Sequence, residues 1–581
     1  MARRALGQVA MVGWFLAAAA AAAWAQSSPA GRTFIVDSNS PQAADENPGT
    51  EDKPFRTVSR AVRAARAGDT VLVMEGTYPE RVVVSIAATA DRPVVLRSVP
   101  PQAARLYGLD ANGASYLRVE GFRFSPADPK VKRAAVEFGD ASHVEFVGNR
   151  IDHNYMGLRG AGADVRIAYN HVYHTQYGML SGKDSRAWRI ENNRIERLFW
   201  YIAGDCDYSR MWGKDHLVRA NRYHGTIRAE VGKAHLDCVQ TFNVKKDNPG
   251  QGLQNFTFED NVCSQFSQCF MLSTSTPGTV HHITVRRNII APKMGGDAGG
   301  SWGLCLEAVE NLTAENNTLV HIGLYGIGYR HGSKDGVVGG NLYCGIPNPL
   351  AGTSVRCSGN LAWQSKLDRK GADANGFLLS DPKLADPNAG NFRLTKGSPA
   401  IGAGADGRAI GALEWPNVYH VDARHPAADD AGLGYAGWPY KTLGAALKAA
   451  QPGETIVVRG GVYRETLKPL CDSVTIRAAA GEAVVISGAD LIEGWRRTDK
   501  GWAATLANRP ATLLRDGKPW TDFAYTDYSS RTATNLIILT SAGDPRMHVW
   551  ETAVRKEAID LAGRSGVKVE GIQSRDTLTE K

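Results

Sequence analysis

His143-Val-Glu-Phe-Val-Gly-Asn149, Asp164-Val-Arg-Ile-Ala-Tyr-Asn170, Trp188-Arg-Ile-Glu-Asn-Asn193 and His216-Leu-Val-Arg-Ala-Asn221 share one pattern: a short alternating strand, one or two polar residues, an asparagine, then an apolar strand. Five more copies end at Asn261, Asn288, Asn317, Asn341 and Asn360, and successive asparagines lie 21, 23, 28, 40, 27, 29, 24 and 19 residues apart. That spacing is one coil of a solenoid. Period-two alternation puts one set of side chains inside and the other in water. Too few residues separate the copies for a helical crossover, so parallel coils stacked about 4.8 Å apart are expected. Each asparagine is expected to take the left-handed conformation at a corner and to bond its amide to the same amide one coil on. Unrelated Asn turns in a β-sandwich are the alternative, and they would not keep one order nine times.

The 581 residues, 43% hydrophobic and 22% charged, exclude a disordered polymer and a membrane bundle. Sixty-two glycines against 26 prolines, with no collagen period, fit many tight turns. The net charge is +8, or +6 once Arg3 and Arg4 leave with a leader. This mild basicity suits an acidic polymer, whereas no Lys/Arg run or basic-aromatic interleaving points to nucleic acid. Residues 1–25 carry Arg3-Arg4, an apolar run from Val9 to Ala23, and Ala23-Trp24-Ala25 before Gln26. That is the layout of a secretory signal peptide, with an uncleaved anchor as the alternative. No transmembrane segment is expected after cleavage, and the expected location is secreted or periplasmic. The eight cysteines include no CxxC pair. Cys344 with Cys357 and Cys263 with Cys269 are nearest in sequence for pairing in an exported chain, and buried free thiols are the alternative.

Phe34-Ile-Val-Asp37, Asn47-Pro-Gly-Thr50, Pro54-Phe-Arg-Thr57, Gly68-Asp69 and Gly76-Thr-Tyr-Pro-Glu80 open the chain, and Asn391-Phe-Arg-Leu394 with Gly397-Ser-Pro-Ala-Ile-Gly402 close the repeats. With these segments the chain resembles the secreted right-handed parallel β-helix proteins of the pectin-lyase-like superfold. The resemblance implies an all-β, right-handed parallel β-helix whose helical stretch, Thr57 to Ala67, caps the open end of the core. It implies fold more than activity, because many activities use this fold. The opening segment then recurs: Val421-Asp422, Pro439, Thr442, Gly453, Gly461, Tyr463 and Glu465 each follow their first-copy equivalents by 385 residues, as Tyr463 follows Tyr78. The expected organisation is a signal peptide (1–25), a first β-helix with its cap (26–414), and a second cap with an incomplete, truncated β-helix (415–581).

The 40-residue asparagine interval holds the densest chemistry: Arg228, Lys233, then His235-Leu-Asp237-Cys-Val-Gln240. Inserted loops on a regular solenoid concentrate function. Alternation places His235 and Asp237 on one side, and a bend at Cys238 is needed to bring Gln240 there too. Similar His-x-Asp-x-x-Gln strands occur in several carbohydrate-active β-helix families. Neighbouring coils offer Asp205 and Asp207 before this segment and Glu307, Tyr329, Arg330 and His331 after it. Solvated rung residues are the plain alternative for each.

Three functions compete. A lyase or epimerase on an acidic polysaccharide needs a cation at the uronate carboxylate and a base at C5. Arg228 is the candidate cation, and Lys233 or His235 the base, with Asp237 in the catalytic group and Gln240, Glu307, Tyr329, Arg330 and His331 as substrate contacts. Some β-helix lyases use calcium as the cation, and here Asp205, Asp207 and Asp237 are its best oxygen donors. A glycoside hydrolase needs two carboxylates, with Asp237 paired to Asp205, Asp207 or Glu307. A non-catalytic carbohydrate-binding or surface protein would use aromatics such as Phe199, Trp200, Tyr201, Tyr208 and Trp212.

Overall fold

The computed structural model describes residues 31–243, 252–294, 299–352, 354–367, 376–506, 510, 512–526, 536–539, 543–561 and 563–578. The predicted leader, 1–25, lies outside the described residues. Among those described, no helix is long and apolar enough to cross a membrane.

The chain is a right-handed parallel β-helix. The hand is the one that parallel strand crossovers adopt. One inward position runs up the whole stack: Val119, Phe146, Ile167, Ile190, Val218, Phe258, Val285, Ala314, Val338 and Cys357 pair in register on successive coils. These are the same alternating positions of each copy, and all but the last are fully buried. Burying a side chain of this class contributes roughly 1.5–3 kcal/mol against solvent exposure.

The nine asparagines form an unbroken ladder. Each but the last donates Nδ2 to the next Oδ1, from Asn149 to Asn170 at 3.2 Å through to Asn341 to Asn360 at 3.1 Å. Each Nδ2 also donates to a carbonyl of the preceding coil, as Asn221 does to Ile190 at 2.9 Å. The expected left-handed conformation falls elsewhere. The residue before each ladder asparagine carries the positive φ, including Tyr169, Asn192, Ala220, Asp260 and Arg287. Residues as different as Tyr169, Ala220 and Arg287 fill that position, while the asparagine is kept for its amide.

The first cap helix, α1, is Val58–Ala64 and buries Val58, Ala61 and Val62 against the open end of the core. It is shorter than the predicted Thr57–Ala67 because Ala65 has already turned extended. A single turn, α2 (Arg228–Val231), interrupts the coils. The second cap helix, α3 (Leu443–Ala449), repeats α1 bond for bond. Thr57 and Thr442 each accept an amide at 3.2 Å, and Glu80 and Glu465 each accept the next two helix amides. Tyr78 and Tyr463 each donate to a carbonyl four residues back, at 2.9 and 2.8 Å.

On either side of α3, parallel strands Val418–Val421, Thr455–Val458 and Thr475–Ala478 stack as a second set of coils. Two antiparallel sheets built from residues 489–553 interrupt the stack, which resumes when Lys568–Glu570 pairs with Thr475–Arg477. The second cap lies along the asparagine side of the first solenoid. His425 Nε2 bonds Ala220 O at 3.0 Å, and the Arg222 guanidinium covers the Trp438 ring at 3.5 Å. Burial keeps His425 neutral, its pKa lowered to about 3.

Candidate functional site

Six strands form the outward face that carries the predicted chemistry: β1 (His171–Ser181), β2 (Cys206–Arg210), β3 (Leu236–Asn243), β4 (Gln268–Thr274), β5 (Trp302–Glu307) and β6 (Tyr325–Arg330). Their register sets three outward rows. The first is Tyr177, Asp207, Asp237, Gln268, Trp302 and Tyr325. The second is Leu180, Arg210, Gln240, Met271 and Cys305. The third is Phe242, Ser273, Glu307 and Arg330.

Rows one and two lie three residues apart, which strict alternation would place on opposite sides. A bend resolves this: Cys238 and Val239 on β3, like Cys269 and Phe270 on β4, both turn into the core. Asp237 and Gln240 therefore meet, Gln240 Nε2 donating to Asp237 Oδ2 at 3.2 Å.

The centre of the face is a carboxyl pair beneath a guanidinium. Asp207 and Asp237 are fully buried. Arg210 Nε donates to Asp207 Oδ2 at 2.6 Å, and its Nη2 reaches Asp205 at 3.4 Å. The guanidinium is held between the rings of Tyr177, at 4.5 Å, and Phe242, at 5.3 Å. Burial pushes the Asp207 carboxyl up to about 7 despite Arg210. Burial, then the charges of Asp207 and Asp205, push Asp237 well above the carboxylate range. The buried oxygens Asp237 Oδ1, Gln240 Oε1 and Gln268 Oε1 have no hydrogen-bond partner. All three are acceptors, so what these buried oxygens lack is a donor.

His235 and Lys233 are exposed in the turn between α2 and β3, and the His235 carbonyl accepts the Cys206 N–H at 2.8 Å. Residue 235 thus stands one coil from Asp205. Arg228 braces this turn, donating to Gly232 O at 3.2 Å, Ala234 O at 3.1 Å and Ser267 Oγ at 3.4 Å. Further along, Glu307 accepts from Ser273 at 3.1 Å and Arg330 at 3.3 Å, with His331 at 3.5 Å. Arg330 lies over Trp302, which stacks on Tyr325 with ring centroids 4.3 Å apart.

Three expectations are corrected. Tyr329 is 2% exposed and packs in the core, its hydroxyl donating to Lys334 O, so it cannot line a substrate groove. Tyr208, offered as a sugar platform, is likewise a core residue. Calcium also fits poorly at Asp205 and Asp207. It wants six to eight oxygen ligands, yet both carboxylates already face the fixed positive charge of Arg210.

Arg210, Gln268, Trp302 and Tyr325 were missed by sequence reasoning. A signal existed: Asp207-x-x-Arg210 repeats as Asp237-x-x-Gln240 one coil later, marking two outward positions with the same spacing.

A family model described as a protein of unknown function (DUF1565) matches residues 42–196. An uncharacterised protein, YwoF, of Bacillus subtilis (strain 168) is 38% identical over 77 residues, 13% of this chain; the match spans 16% of that relative's length. Among solved structures, the PL6 family polysaccharide lyase Pedsa3628 from Pseudopedobacter saltans is similar with a TM-score of 0.42 and 15% identity, over 58% of this chain and 88% of that one. The PL6 family alginate lyase AlyGC has a TM-score of 0.41 and 16% identity, over 74% and 67%. The pectate lyase Pel9A has a TM-score of 0.40 and 14% identity, over 68% and 98%.

Proposed function

We propose that the β1–β6 face binds and cleaves an acidic polysaccharide by β-elimination, and that the protein is exported to reach that polymer. The observation that carries this reading is Arg210, a guanidinium locked by Asp207 and two rings on an outward face, with exposed His235 and Lys233 one coil away. A fixed cation of this kind binds a uronate carboxylate and stabilises the charge that develops there as the C5 proton leaves. His235 or Lys233 takes that proton; the C5–H electrons form the C4–C5 double bond, the C4–O bond breaks, and the departing oxygen collects a proton. Neutral Asp237 keeps negative charge away from the carboxylate. The Glu307, Arg330, Trp302 and Tyr325 group extends the face along the solenoid axis as a place for further sugar units.

The carboxyl pair on adjacent coils favours a second reading, a glycoside hydrolase using Asp207 and Asp237. One experiment separates them. The full chain is incubated with uronate-containing and neutral polysaccharides, and unsaturated products are followed by ultraviolet absorbance alongside reducing ends. Both signals rising together on a uronate polymer support the lyase. Reducing ends without absorbance support the hydrolase, inverted C5 centres without cleavage support an epimerase, and no turnover on any polymer leaves a binding protein.

A further inference from the structure

Three cysteines that the outward face does not use meet inside the solenoid. Cys238 on β3 and Cys269 on β4 occupy equivalent positions on adjacent coils, between the register pairs Asp237 with Gln268 and Val239 with Phe270. Cys263 reaches them from the strand that follows ladder residue Asn261. The three sulfurs lie within 4.8 Å of one another, and all three residues are fully buried. Cys263 and Cys238 also sit beside the Tyr208 and Tyr223 rings of the core.

We propose that Cys238, Cys263 and Cys269 form a trigonal site for one soft monovalent metal ion of the copper(I) class. Metal–sulfur bonds of about 2.3 Å at 120° put sulfurs about 4 Å apart, close to the spacing already present. All three pairs of sulfurs are neighbours, whereas a disulfide would join only two and strand the third. The residue types select the metal: soft sulfur ligands without oxygen or imidazole favour copper(I).

Coordination number selects among soft ions: among the described residues three sulfurs gather with no fourth His, Cys, Asp or Glu donor, which suits a trigonal monovalent ion and leaves the tetrahedral preference of zinc unmet. Each thiol that binds the ion gives up its proton to solvent as the metal–sulfur bond forms. Because the site is closed, the ion enters as the coils wind, and bound metal then ties the face-bearing strands β3 and β4 to the opposite wall.

The test is metal content of the full chain purified under reducing conditions from cells grown with added copper or added zinc, with copper and zinc counted per chain. The expected result is about one copper per chain, less than about one tenth of that in Cys263→Ala, and about one in the control Cys471→Ala. X-ray absorption on the wild-type protein should show three sulfur neighbours, which decides the matter even where Cys263→Ala fails to fold. Copper-free wild-type protein, equal copper in Cys263→Ala, zinc retained in place of copper, or a Cys238–Cys269 disulfide in peptide mapping would each overturn the proposal.

Discussion

The backbone N–H of Asp237 donates to Asp207 Oδ1 at 3.3 Å, binding two buried carboxyl groups on adjacent coils into one unit. Both carboxyls are pushed up by burial, Asp207 to about 7, so the folded chain holds protons there that the unfolded chain releases near pH 4. Stability from this pair is therefore fully present below about pH 4 and is lost as pH rises through about 7. Asp237→Asn keeps the shape and removes the charge. Thermal melting from pH 3.5 to 8 should show the variant closest to wild type at the acid end, gaining on it steadily as pH rises above about 4 and more stable at pH 8, while turnover on the polysaccharide stays close to wild type because Asn is as neutral as the protonated carboxyl it replaces. A variant less stable than wild type at pH 8 would contradict a neutral Asp237.

Arg210 is the residue on which the lyase reading turns. Its fork spans Asp207 and Asp205, and its plane fills the gap between Tyr177 and Phe242. Lysine keeps the charge without the fork or the plane. Arg210→Lys should lower kcat/KM for the uronate polymer about 100-fold or more, the usual loss when one oriented donor to developing charge is removed. A loss below about threefold would place the carboxylate elsewhere on the face.

Most of the architecture was legible because a solenoid writes each structural demand many times. One asparagine is ambiguous, but nine at coil spacing are a ladder. The same redundancy hid the local detail. The positive φ belongs to the residue before each asparagine, a position filled by Gly148, Tyr169, Ala220 and Arg287 alike, so composition carried no trace of it. At the candidate site, strict alternation described Asp237 but not Gln240, because the bend at Cys238 and Val239 is a property of stacked coils and not of one strand. Tyr329 read as an exposed sugar contact for the same reason: its neighbour Arg330 is outward, and only the register decides which of the two is inside.

The ladder can be tested at its middle. Asn221 donates to Ile190 O at 2.9 Å and to Asn261 Oδ1 at 3.0 Å, and its own Oδ1 accepts the amides of Asn193 at 2.9 Å. Asn221→Ala leaves several buried partners unmet, at about 1–3 kcal/mol for each group left unsatisfied. Denaturant melts should place the loss at roughly 2–5 kcal/mol, against a few tenths for Asn39→Ala, whose amide bonds Glu75 O at the surface.

Trp302 should affect binding and not chemistry. It sits two coils beyond Asp237 in the same outward row, stacked on Tyr325 and covered by Arg330. Aromatic contacts of this kind contribute about 0.5–1.5 kcal/mol, and about 1.4 kcal/mol is a factor of ten. Trp302→Ala should raise KM for long oligosaccharides up to about tenfold with kcat within about twofold, and should leave the shortest substrates unaffected. A matching fall in kcat would move the reacting bond onto this part of the face.

The two caps allow one experiment to be done twice in one molecule. Thr57 accepts the Arg60 amide and Thr442 the Ala445 amide, both at 3.2 Å, and each threonine hydroxyl also meets an aspartate, Asp45 at 2.8 Å and Asp430 at 3.0 Å. Removing a helix N-cap costs about 1 kcal/mol. Thr57→Ala and Thr442→Ala should therefore cost similar amounts, yet appear differently if the two sets of coils unfold separately. Hydrogen exchange read by mass spectrometry distinguishes the cases. Faster exchange confined to 418–478 in Thr442→Ala, with 94–360 unchanged, would show that the second stack opens alone. Equal acceleration throughout would show that the His425–Ala220 and Arg222–Trp438 contacts weld both stacks into one cooperative unit.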